Sequence, residues 1–140
     1  MYIEFNEYIS GVWNEGYWYD DGFQYAVTML ERFTDEDWKN LFDELHAKDS
    51  DWKIKLVYCL EPSVGLNGFN ALISLVNDKD DEVVERVIDS LRSFSTEEYK
   101  QKISDSLEII EKAKELLENT TSLPIQAVLK DFLKHYEKNV

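Results

Sequence analysis

The chain is poor in the residues that usually mark chemistry or export. Its 140 residues include one cysteine, two prolines, five glycines and two histidines. A lone thiol, Cys59, excludes an internal disulfide framework and fits a reducing cytoplasm. The longest apolar runs, such as Leu56-Val57-Tyr58-Cys59-Leu60, are far short of a membrane span. Met1-Tyr2-Ile3-Glu4 lacks the basic start and apolar core of a secretory signal, so a cytoplasmic protein is expected. Gly65-Leu66-Asn67-Gly68 has neither the spacing nor the following lysine of a phosphate loop. Asp78-Lys79-Asp80-Asp81-Glu82 begins like a calcium loop but lacks its glycine and distal glutamate, and reads better as a helix cap.

Positive charge is also scarce. Twenty-nine acids face fifteen basic residues, a net charge of −14. Residues 1–50 hold twelve acids and three basic residues, a net of −9, against −4 for 51–100 and −1 for 101–140. Such a field repels phosphate backbones and anionic membranes and attracts basic proteins. Lys53, Lys55 and Lys100 are scattered among acids and form no basic stripe, so neither nucleic acid nor membrane is expected as a partner.

Apolar residues are plentiful, at 44% of the chain with nineteen aromatic rings, enough for a core in one 140-residue domain. Their spacing is helical throughout. Phe5, Ile9, Val12 and Trp13 predict a helix over about 4–13, and Ala26, Met29, Leu30 and Phe33 one over 22–33. Thr34-Asp35-Glu36-Asp37 has the form of a capping box and opens a helix over 35–47. Further helices are predicted over 51–61 with Ser50 as cap, 68–77, 81–94, a long one from Ser95-Thr96 to about 118, and a last one from Ser122-Leu123-Pro124. No segment sustains strand alternation. The fold class is all-α.

The helices share a pattern. Leu30, Leu60, Leu91 and Leu133 are each preceded, four residues earlier, by Ala26, Leu56, Val87 and Leu129. This recurrence suggests about four stacked helical hairpins. Residues 72–94, with an apolar first helix, an Asp-rich turn at Asn77-Asp78-Lys79-Asp80 and Val83, Val87 and Leu91 in the second helix, resemble a HEAT repeat; 41–60 match less closely. The arginine that HEAT repeats often carry is here Val84, Lys53 or Gln126, so the resemblance implies stacked hairpins without the inter-repeat arginine ladder. The whole chain, small, acidic and helical with an aromatic start, is similar in general character to immunity proteins of bacterial polymorphic and contact-dependent toxin systems. That resemblance implies a cytoplasmic inhibitor whose partner is a basic toxin domain, such as a nuclease. An intracellular HEAT-like scaffold or adaptor is the alternative, and a metal-dependent helical enzyme a third reading.

Candidate chemistry is thin. Asp43 and His46 have the i, i+3 spacing of di-iron bundles but no mate, and Asp131 with His135 reads as a surface pair. Cys59 falls on the apolar face beside Leu56 and Leu60. No catalytic residue, cofactor or metal site is assigned, and no enzyme activity is expected. The informative stretch is Trp13 to Tyr25, WNEGYWYDDGFQY, because residues 1–25 hold nine of the nineteen rings. Phe5, Trp13 and Phe23 suit helix packing, whereas Tyr17-Trp18-Tyr19 in a short turn cannot all point inward. Tyrosine and tryptophan are enriched at binding hot spots, and neighbouring carboxylates steer basic partners. Glu15, Tyr17, Trp18, Tyr19, Asp20 and Asp21 are therefore the candidate partner-binding residues, with Asp78 and Asp80 as further acids in a later turn. The same bulk also suits a cap over the open end of a helical stack.

Overall fold

Thr34 shows how the polar punctuation becomes helix ends. Its hydroxyl accepts from the Asp37 backbone N–H at 3.2 Å while the Asp37 carboxylate accepts from the Thr34 N–H at 3.0 Å, closing the capping box. In the computed structural model, which describes residues 1–11 and 13–137, the described residues carry helices and no strand. The elements are α1 (Tyr2–Ser10), α2 (Glu15–Tyr17), a π-helical segment (Trp18–Gly22), α3 (Phe23–Glu31), α4 (Asp35–Glu44), α5 (Ser50–Cys59), α6 (Leu66–Ser74), α7 (Asp81–Leu91), α8 (Glu97–Ser104), α9 (Leu107–Asn119) and α10 (Leu123–Tyr136). No helix among the described residues is long and apolar enough to cross a membrane.

Three expectations need correction. The helix expected over 22–33 is α3, Phe23–Glu31, but the aromatic stretch before it, expected to be a short turn, is itself helical. Asp49, not Ser50, caps α5, accepting from the Trp52 N–H at 2.9 Å. The long helix to 118 is two, α8 and α9, because the Ser106 side chain accepts from the Ile109 N–H and starts a new helix after Asp105. Val12, assigned above to the first helix, lies outside the described residues; that helix ends at Ser10, with Gly11 extended.

The chain, read above as one domain, divides into two compact units, Met1–Ala71 and Leu72–Val140, with the division inside α6. In the first, α1 packs on α3, α4 and α5, and α3 on α5. Phe5, Ile9, Leu30, Leu41, Leu56, Cys59 and Leu60 form its buried centre. Two lysines of the α5 region fasten α1. Lys48 Nζ and Trp52 Nε1 both donate to Asn6 Oδ1, at 3.0 and 2.9 Å. Lys55 Nζ donates to the carbonyls of Gly11 (3.3 Å) and Ile9 (3.5 Å), placing a cation at the negative end of α1. At the other end, the Asp37 carboxylate accepts from the Tyr2 N–H at 3.1 Å and lies 3.5 Å from the amino terminus.

In the second unit α10 packs on α9, α7 and α8, and α7 on α9, around Val83, Val87, Leu91, Phe94, Ile103, Ala113, Leu129 and Phe132. The Asp-rich turn is a cap: Asp78 Oδ2 accepts from the Asp80 N–H and Asp80 Oδ1 from the Glu82 N–H, at 3.1 and 3.0 Å. Arg92 ties α7 to α10 through Asp131 at 2.9 Å. The anchors Leu30, Leu60, Leu91 and Leu133 are all buried, as their spacing predicts.

Two outcomes follow from this packing. Leu91→Ala, a truncation of a fully buried side chain, should lower stability by roughly 2–5 kcal/mol, read as the far-ultraviolet circular dichroism midpoint in urea. An unchanged midpoint would place Leu91 outside the core. Burial opposes ionisation of Asp37, but hydrogen bonds from Thr34 and Tyr2 and the nearby amino-terminal charge prevail and hold its carboxyl below the ordinary aspartate value. A depressed folded value contributes stability that is present above the unfolded pKa and lost as pH falls through the folded one. Asp37→Asn should therefore be less stable at neutral pH, with the gap from wild type closing on acidification; parallel pH profiles would refute this.

Candidate functional site

The aromatic stretch is built on an uncommon backbone. Asn14 caps α2 by accepting from the Tyr17 N–H at 3.2 Å, and the chain then widens into the π-helical segment Trp18–Gly22. Single π turns inside helices often occur at functional sites. Two tyrosine hydroxyls fasten this one to its neighbours. Tyr8 donates to the Gly22 carbonyl at 2.7 Å, and Tyr58 of α5 to the Tyr19 carbonyl at 3.2 Å. Gly22 is needed for another reason: a Cβ there would lie 3.2 Å from both the Tyr17 and Trp18 rings.

The three consecutive rings part company. Trp18 is 1% exposed, packed near Tyr8 and Trp13 with ring centres 6.0 and 5.8 Å away. Lys55 Nζ lies 5.9 Å from its ring centre. Trp18 is thus a core residue and not the exposed anchor its neighbours suggested, because the π turn directs it inward where α1 and α5 close over it. Tyr19 is half-buried, in edge contact with Tyr58 at 4.6 Å. Tyr17 is 51% exposed and stacks on Trp13 at 5.6 Å with the planes 17° apart.

The surface therefore presents a run of rings. Tyr17 lies on Trp13, Trp13 against Tyr8 at 4.8 Å, and Tyr8 against Tyr25 at 5.0 Å. Tyr25 is 59% exposed. Trp13 Nε1 donates to the Tyr8 carbonyl at 2.8 Å, so the half-buried ring is pinned. Glu15, Asp20 and Asp21 are exposed on the same short segment of chain as Trp13, Tyr17 and Tyr25. Such rings offer apolar area that is already ordered, and the carboxylates add attraction for lysine and arginine. Tyr25 and Tyr8 were missed in the sequence. Tyr25 lies one residue before the buried Ala26-Val27 pair, and an outward-facing ring there had no periodic signal to mark it.

Asp78 and Asp80 belong to the second unit and are half-exposed, engaged in starting α7. Cys59 is fully buried, and burial first, then Glu61, pushes its thiol pKa well up, so it packs as a small core residue. Asp43 pairs with Lys39 at 3.0 Å, and His135 lies 3.4 Å from Asp131. Among the described residues no three histidine, cysteine or acidic side chains converge as a metal would require. Comparison with protein-family models, curated proteins and solved structures gives no match for the chain.

The division between inward Trp18 and outward Tyr17 has a direct check. Trp18→Ala should destabilise the protein by roughly 3–5 kcal/mol in urea unfolding, and Tyr17→Ala by less than about 1. Equal effects would mean that the π turn does not separate the two rings.

Proposed function

We propose that this chain is a protein-binding inhibitor, a cytoplasmic immunity protein that neutralises a basic toxin domain, with its helical hairpins stacked in HEAT-like fashion. The observation that carries the reading is the pinned ring run, Tyr17 on Trp13 and Tyr25 on Tyr8, on a segment of chain that also exposes Glu15, Asp20 and Asp21. Interfaces draw much of their energy from aromatic anchors whose surroundings exclude water, while charges outside that core set association rate and partner choice. The −9 net charge of residues 1–50 gives the same end of the chain a long-range preference for a basic surface. Against a nuclease, the carboxylates would occupy positions that substrate phosphates otherwise fill, so inhibition is by occlusion and needs no chemistry from this chain. The repeated burial of Leu30, Leu60, Leu91 and Leu133 supports the hairpin reading.

The test begins with capture from the native cells and identification of the co-purifying protein by mass spectrometry. Its binding kinetics are then measured with wild type, Tyr17→Ala and Asp20→Asn/Asp21→Asn. The double variant should associate more slowly and with less salt dependence, because exposed charges act over about 8–10 Å at physiological salt. Tyr17→Ala should speed dissociation, costing about 2 kcal/mol. A basic partner whose activity the protein abolishes at equimolar ratio supports the reading. Wild-type rates for both variants at low and high salt would remove this surface from it.

A further inference from the structure

The first half of α10 presents an apolar face that no described residue covers. Leu123 to Leu129 carry no charge, and Leu129 alone among them is buried. Leu123 is 75% exposed, Pro124 and Ala127 are exposed, and Ile125 and Val128 are half-buried. An exposed apolar patch rimmed by polar residues is the usual mark of an interaction site. Here the rim is α7. Within the second unit, Glu85 and Asp89 of α7 and Ile125 and Val128 of α10 line a shared cavity of about 140 Å³. Further along, Arg92 joins the two helices through Asp131 at 2.9 Å. The cavity is well below the ~300–1,000 Å³ of small-molecule sites, so it suits a side chain or two of something that lies along the groove.

A second observation is the charge on the rim. Asp81, Glu85 and Asp89 recur at every fourth residue and so share one row along α7. Asp89 is paired with Arg92 at 2.8 Å, and Arg86, the one cation within α7, lies 3.7 Å from Glu82. Neither Asp81 nor Glu85 has an ion pair or hydrogen bond among the described residues. Burial, then the charges of Asp81 and Glu82, push the half-buried Glu85 carboxyl above the ordinary glutamate value, and a cation at its side would relieve it. A fitting occupant therefore brings an apolar face for α10 and positive charge for α7. A helix with an apolar stripe and lysine or arginine on its flank brings both, and amphipathic helices dock in such grooves through anchors three and four residues apart. A lone cation would leave α10 bare. An anionic membrane would meet the acidic row, and a second copy of the chain would bring its own net charge of −14.

We propose that the groove between α7 and the first half of α10 is a docking surface for a basic amphipathic helix of a partner protein, with apolar side chains over Leu123, Ala127 and Val128 and basic ones along Asp81 and Glu85. The surface belongs to the second unit and does not depend on the ring run of the first. It is tested on the full-length ¹⁵N-labelled protein with two blocked peptides of about four helical turns and one amphipathic pattern, the first of leucine and lysine, the second of leucine and glutamate. The lysine peptide should saturably shift the amides of Glu85, Ile125 and Val128, at one peptide per chain. The glutamate peptide should bind at least about tenfold more weakly. A cationic peptide is drawn to every acid on so acidic a chain, so variants decide where it sits. Glu85→Gln should weaken binding several-fold and Ala127→Lys at least about tenfold, both outside the core, while Asp20→Asn/Asp21→Asn should change it by less than about twofold. Shifts spread over the acids of residues 1–50, or groove variants that bind like wild type, would overturn the proposal. A concentration-dependent dimer that Ala127→Lys makes monomeric would overturn it too, by showing a second copy to be the occupant. The inhibitor reading stands or falls separately, on the Tyr17 and Asp20/Asp21 kinetics with the captured partner.

Discussion

A tryptophan laid against a glycine organises the first unit. Any side chain at Gly22 would meet both the Trp18 and Tyr17 rings, so the absence of a Cβ lets the helix widen and turn one ring in and the other out. With Trp18 inside, α5 can bring Lys55 close to its ring and onto the carbonyls that end α1. With Tyr17 outside, Trp13 has a ring to stack on and the surface run is complete. The hydroxyls of Tyr8 and Tyr58, from two other helices, bond to the carbonyls of Gly22 and Tyr19 and hold the wider turn in place. The exposed ring run and the core are therefore opposite sides of one local arrangement.

Charge is organised at two ranges. At short range several basic side chains are absorbed by the fold: Lys48 and Lys55 on α1, Lys39 on Asp43, Arg92 on Asp89 and Asp131. Most of these pairs are at least partly exposed and contribute modestly to stability. Their larger effect is at long range. With these cations committed locally, the surplus of carboxylates sets the long-range field, and the first fifty residues dominate it.

The all-helical fold was legible because apolar spacing at three and four residues is written along the whole chain, and Thr34, Asp80 and Ser122 mark helix starts with side chains that do cap them. The buried leucines were legible for the same reason. The break at Asp105-Ser106 was not, since both flanking segments are helical in pattern and a serine cap inside a polar stretch carries little contrast. The site was half legible. Exposed acids at 15, 20 and 21 and at least one outward ring among Tyr17, Trp18 and Tyr19 follow from composition, but which ring turns in depends on a π segment, for which periodicity at 3.6 has no signature. Lys55 and Asp51 reach Trp13, Trp18 and Tyr19 through tertiary packing, and in the sequence Lys55 read only as one of the lysines scattered among acids.

The uneven distribution of aromatic residues also affects how the molecule reports on itself. All four tryptophans, at 13, 18, 38 and 52, and the one thiol, Cys59, lie in the first unit. Indole emission and thiol accessibility are thus intrinsic probes of that unit, while backbone dichroism averages over both. A two-state molecule gives coincident curves by all three signals, whereas independent opening of either unit separates them. The chain contains, without added labels, the means to measure how strongly its two units are coupled.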